Sequence, residues 1–173
     1  QTWALPNSPD FNAASNWDPP VVPTGKATIS IARATLLAPV IFSVPTTTLA
    51  TINVTGNKGI FVNDDQSVSV LSGGLTICCQ DVENTINGVL IGNVSLGASS
   101  NIRYNLGGHG TIKGNIVQQG GGVTPGDRAG SALTVMGTYT KTPNSTLAIT
   151  VYSDGATCLN IHGTATLDGR FLL

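Results

Sequence analysis

Asp64 and Asp65 stand side by side in "VNDDQS", the arrangement that a calcium loop or a carboxylate acid/base pair would use. Calcium needs several more oxygens at fixed spacing, and neither the EF-hand spacing nor a Gly-Gly-x-Gly-x-Asp repeat is present. Asp and Asn also favour turns, because their side chains bond to nearby backbone, so the pair reads as a solvated corner. Asp81 and Glu83 sit two apart and would share one face of a strand, where acid/base work is open to them if another group raises one pKa. No neighbouring His, Lys or Arg completes that pair, and an outward polar face is the plainer reading. The two histidines, His109 and His162, lack a ligand spacing with Cys or with each other, and read as lone surface residues. "GGHGTIKG" has the glycines of a phosphate loop but leads into a strand pattern, so the helix dipole and amides that hold phosphate are missing. No nucleophile elbow or P-loop occurs. The residues thus assign no catalytic, cofactor or metal site.

The cysteines follow the same geometry. Cys78 and Cys79 are adjacent on an expected strand, so one points inward as a small core residue and the other outward as a free thiol able to link chains; a bridge between the neighbours is the lesser alternative. Cys158 lies 80 residues beyond Cys78. In a regular stack that is roughly 19 Å along the axis, beyond the about 7 Å Cα separation a bridge tolerates. Three Asn-x-Ser/Thr triplets, at Asn53, Asn93 and Asn144, are what an Asn- and Thr-rich chain contains by chance.

The elements that would position these residues are short strands. Apolar and small polar residues alternate in "ATISIA", "VIFSV", "ATINVTG", "GIFVN", "SVSVL", "NVSLG", "TIKGNIV", "ALTVMG" and "CLNIHG", with Gly, Asn, Asp, Ser or Pro between the runs. Helical spacing is absent. Runs this short, with the hairpin dipeptide Asn-Gly only once, at Asn87-Gly88, and mostly single Gly or Gly-Gly separators, fit the coils of a parallel β-helix better than a sandwich or barrel. At about 20 residues per coil the chain would form about eight coils, a rod on the order of 40 Å long.

Only 10% of the 173 residues are charged and the net charge is −1, which argues against nucleic acid or a strongly charged partner. The longest apolar stretch, "ATLLAPVIFSV", contains Pro39 and is too short to span a membrane. The start at Gln1, with no Met or basic-then-apolar leader, reads as a processed chain, through signal-peptide removal or a trimmed boundary. Trp3, Phe11 and Trp17 lie in a Pro-rich opening segment, 1–26, and are expected to cap the first coil, with regular rungs over 27–104.

Residues 105–173 carry a resemblance. The run from "NLGGHGTIKGNIV" through the Pro125-Gly126 turn, "ALTVMGTYT" and "STLAI" to "CLNIHGTATLDG" resembles the C-terminal end of an autotransporter passenger β-helix. Gly107, Gly108, Gly110, Gly114, Pro125, Gly126, Leu133, Val135, Gly137, Tyr139, Leu147, Leu159, Gly163, Ala165, Leu167 and Gly169 occupy the places of that pattern. Thr157-Cys158 departs from it, standing where the family has an acidic residue. The resemblance implies an all-β, right-handed parallel β-helix from a Gram-negative cell-surface protein, secreted through an outer-membrane translocator barrel that is not in this chain. It also implies that 105–173 nucleates passenger folding, with Leu133, Val135, Tyr139, Leu147, Ile149 and Leu159 as its packing core. On this reading Pro125-Gly126 is a corner and not an active-site loop, and Asp127 and Arg128 are its solvated shoulder.

The expected function is a non-enzymatic scaffold or adhesin associated with virulence, its Thr, Ser and Asn ladders meeting a host surface, a glycan or sister passengers. The alternatives are a truncated carbohydrate-active β-helix enzyme and a phage-fibre β-helix. Sparse Asp, Glu, Lys and Arg weigh against the enzyme.

Overall fold

Short runs of Ile, Val and Leu alternating with Thr, Ser and Asn bury one side of a strand only, so each run needs another stacked on it. The computed structural model describes residues 1–4, 9–32, 38–56, 59–78, 84–97 and 104–173. It meets that need by winding the chain into an all-β, parallel β-solenoid of about five regular turns. Three faces surround the core. The first stacks Val40–Phe42, Ile60–Val62, Thr85–Ile86, Tyr104–Gly108, Gly122–Pro125, Thr146–Ala148 and Arg170–Leu172. The second runs from 46–49 and 67–70 through Val89–Ile91, Thr111–Lys113 and Ala132–Val135 to Cys158–Ile161. The third carries Thr28–Ile31, 51–54, 75–77, Val94–Leu96, Ile116–Gln118, Tyr139–Lys141 and Ala165–Thr166.

The expected eight coils are too many. Successive partners on the third face lie 19 to 26 residues apart in sequence, mostly more than the expected coil length, and that face begins only at Thr28. A sixth coil, from Thr146–Ala148 to Ala165–Thr166, is interrupted by the antiparallel pair Val151–Tyr152 and Gly155–Ala156.

Register places like over like. Ile29, Ile52, Leu75, Val94, Ile116 and Tyr139 form one inward column on the third face, each at most 1% exposed. Burial of such side chains contributes about 1.5–3 kcal/mol each, which is the main term holding successive coils together. Leu133, Val135, Tyr139 and Leu147 are in this core, while Ile149 and Leu159 are partly buried and pack against it.

At the N-terminal end Thr2–Trp3 pairs in parallel with Ser30 and antiparallel with Trp17–Asp18. Trp3 and Trp17 meet edge to face at 4.8 Å between centroids, and Phe11 stacks on Phe42 at 4.7 Å. The Trp17 indole Nε1 donates to the Phe11 carbonyl at 2.8 Å, so the buried ring leaves no orphaned donor. Asp10 Oδ1 accepts from the Asn12 amide at 2.9 Å and from the Ser43 hydroxyl, contacts that hold its carboxyl below the usual range despite some desolvation. The last coil leaves Leu167, Phe171 and Leu172 about half exposed.

Corners between the second and third faces are tight. Chain direction changes at Gly92, Gly114, Gly137 and Gly163, which stack so closely that a Cβ built on Gly137 would lie 2.5 Å from the Gly114 carbonyl oxygen and 2.2 Å from Asn115 Oδ1. Beside them, Asn93 Oδ1 accepts from the Asn115 amide at 2.9 Å and Asn115 Oδ1 from the Thr138 amide at 2.8 Å, satisfying backbone donors that the corner takes out of the ladders. Gly137→Ala should therefore lower stability by about 1–3 kcal/mol, the range for overpacking a closed site, read as a lower urea midpoint with unchanged slope.

Candidate functional site

The corner leaving the first face differs from the glycine corner in carrying charge. In "LGGHG", Leu106 points into the core and Gly107 outward, Gly108 turns the chain at φ 103°, and His109 follows on the outside. Gly110 then passes so near the Gly88 carbonyl oxygen that a Cβ there would come within 2.2 Å. Two coils earlier the turn after Ile60–Val62 presents Asp64, and in the following coil Gly126, at φ 77°, presents Asp127. The Asp127 loop is held by Ser131, whose Oγ accepts from the Asp127 and Arg128 amides at 2.9 and 3.1 Å and donates to the Arg128 carbonyl at 2.7 Å. The Tyr152 hydroxyl adds a bond to the Asp127 carbonyl at 3.1 Å.

These three residues converge. His109 Nε2 lies 2.8 Å from Asp64 Oδ1, and Nδ1 lies 3.1 Å from Asp127 Oδ2. The second contact is an approach of charge and not a formed hydrogen bond, because the carboxylate stands off the direction in which Nδ1 could donate; Nδ1 is otherwise buried without a partner. An ionised carboxylate only accepts, so the Asp64 contact places a proton on Nε2. The His109 side chain is 18% exposed, against 70% for Asp64 and 47% for Asp127. His109 is thus not the lone surface histidine expected, and Asp127 is not simply a solvated shoulder; stacking brings both to one corner. Asp64 and Asp65 do lie in an exposed turn, but Asp64 also anchors the imidazole. His162 is exposed. Asp81, Glu83 and Cys79 lie outside the described residues. Cys78 is disulfide-bonded, which corrects the expectation of a free outward thiol; it follows inward Ile77 and so lies on the outer side of the strand. Cys158 is a free, exposed thiol.

Beside the corner, outside the first face, runs a groove of about 400 Å³. The register Phe61, Thr85, Gly107, Thr124 forms its floor, and Asn87, Gly108, Gly126 and Asp127 form the corner side. Its volume falls at the lower end of small-molecule sites, about 300–1,000 Å³. At the corner, Asp64 engages His109 Nε2, while Nδ1 faces Asp127 without a hydrogen bond. Among the described residues no group of three His, Cys, Asp or Glu is placed to hold a metal ion, and no helix is long and apolar enough to cross a membrane.

A second polar cluster lies inside the solenoid. The inward column Ile31, Val54, Ile77, Leu96 continues as Gln118 and Lys141. Gln118 Nε2 donates to the Gly121 and Thr146 carbonyls, each at 2.9 Å, and its Oε1 accepts from the Tyr139 hydroxyl at 2.5 Å. Lys141 Nζ donates to the Asp168 carbonyl and lies 4.8 Å from the centre of the Phe171 ring. Burial raises the Tyr139 hydroxyl pKa, and desolvation lowers that of the Lys141 ammonium against the opposing pull of Asp168. These bonds close on the chain's own backbone, which makes the cluster structural.

No protein-family model matches the chain, and no curated protein or solved structure matches it.

Because Lys141 binds its proton less tightly when folded, the unfolded chain holds more protons between the folded pKa and 10.5, and stability rises with pH across that window. Above about pH 10 the unfolded tyrosine ionises while Tyr139 does not, and stability falls again. Lys141→Met should remove the alkaline rise and leave the fall, as measured by denaturant midpoints from pH 7 to 11.

Proposed function

We propose that this chain is a right-handed parallel β-helix segment of a secreted, surface-displayed passenger of the autotransporter type. It acts as a non-enzymatic scaffold or adhesin able to self-associate. Its partner in cis is an outer-membrane translocator barrel, and residues 105–173 nucleate folding by offering a formed edge to the coils before them. The handedness is supported by the strong right-handed preference of parallel crossovers.

The observation that carries the functional reading is the outward ladder of the third face. Ser30, Asn53, Thr76, Ser95, Val117, Thr140 and Thr166 stand in register, one per coil, without a charge among them. Such a surface pairs hydroxyls and amides with another array at low electrostatic cost, and lacks the like-charge repulsion that keeps surfaces apart. The Cys78 disulfide supports an oxidising compartment, as outside the cell. An enzyme reading draws on Asp64, His109 and Asp127, but Asp64 engages His109 Nε2 and Nδ1 has no hydrogen-bonded hydroxyl or thiol to activate.

Displayed on a bacterial surface, the chain should promote cell aggregation or adhesion. Replacing Ser95 and Thr140 together by Glu should reduce that effect severalfold, because both charges stand on one ladder. Unchanged aggregation and adhesion in the double variant, or depolymerisation of a polysaccharide by the purified chain, would overturn the reading.

A further inference from the structure

The groove on the first face has a chemistry of its own, independent of the ladder face. Its unused polar atoms form a mixed set. Asn87 uses Oδ1 to accept from the His109 amide at 3.3 Å, and its Nδ2 donates to nothing among the described residues. Asp127 meets His109 through Oδ2, leaving Oδ1 outside that contact. The Thr85 and Thr124 hydroxyls make no hydrogen bonds among the described residues. One donor amide, one acceptor carboxylate oxygen and two hydroxyls that both donate and accept thus surround a floor that Gly107 leaves open. Phe61, on the same register, supplies an aromatic ring at the end of that floor.

We propose that this groove binds a neutral sugar, one or two pyranose rings of a glycan. A pyranose carries an apolar C–H face that suits the negative face of an aromatic ring, and hydroxyls that serve as both donors and acceptors around its edge. The volume of about 400 Å³ holds a ligand of that size. Charge narrows the class: Asp64 and Asp127 at the corner disfavour uronates and sulfated sugars, whose carboxylate or sulfate would face two carboxylates. The role of His109 is positional. His109 sits between Asp64 and Asp127, 2.8 and 3.1 Å from their carboxylate oxygens, beside the groove's corner side.

The test uses the purified chain and three neutral disaccharides (maltose, cellobiose and lactose), with digalacturonate as the charged counterpart, by saturation-transfer NMR and calorimetric titration. At least one neutral disaccharide is expected to bind, and digalacturonate to bind at least tenfold more weakly or not at all. Phe61→Leu, which keeps apolar bulk but removes the ring, and Asp127→Asn, which leaves the loop's backbone bonds in place, should each weaken binding about fivefold to tenfold. Val21→Ala, at an exposed position of the N-terminal segment away from both the groove and the ladder, should leave it unchanged. Absence of binding by all three neutral sugars at about 10 mM, well above a millimolar Kd, overturns the proposal. So does binding that survives both groove variants, or a preference for digalacturonate. These readouts do not depend on aggregation, so failure here and failure of the surface-display reading are separable.

Discussion

The constraint on which the rest depends is in-register parallel pairing. Every strand on a face hydrogen-bonds to its equivalent one coil away, at about 4.8 Å, so a residue spends its folded life directly over its counterparts. Ile29 over Ile52 over Leu75 gains from this, since apolar side chains stack without loss. Like charges stacked the same way would repel at close range, which accounts for outward ladders of Ser, Thr and Asn in a chain with 10% charged residues. The same spacing compresses the corners, where Gly114 and Gly137 approach until no Cβ fits.

The interior of the stack changes along its length. At the first coil, Trp3, Phe11 and Trp17 are buried with Phe42, and Thr2–Trp3 pairs with the strand at Thr28–Ile31. In the later coils the inward column changes from Leu96 to Gln118 to Lys141. A polar interior is tolerated there because Gln118 is bonded to two carbonyls and to Tyr139, and the Lys141 ammonium to the Asp168 carbonyl. The desolvation that lowers the Lys141 pKa is the energetic trace of that arrangement.

Individuality concentrates at one corner. Faces repeat because register forces them to, whereas a turn is free to vary in length and composition between coils. The turn at Asp64, the Gly-Gly-His-Gly run and the loop 126–131 use this freedom to bring two carboxylates and an imidazole together beside the floor from Phe61 to Thr124. Ser131 and Tyr152 hold the Asp127 loop, so the corner is supported by bonds outside the ladders.

Period-two alternation of apolar and small polar residues is a local property, and it was enough to identify an all-β chain that must stack; Leu133, Val135 and Tyr139, which the resemblance of residues 105–173 put in the packing core, are buried. The number of coils was not legible, because coil length varies from 19 to 26 residues on one face alone and no local signal counts the residues absorbed by corners. For the same reason His109 looked solitary. It lies 45 residues from Asp64, close to two coils, but Asp127 follows it by only 18, less than one coil of the third face. Only the assembled stack decides which distant turns share a corner, because that depends on the summed lengths of the coils between them and not on the propensity of any residue within them.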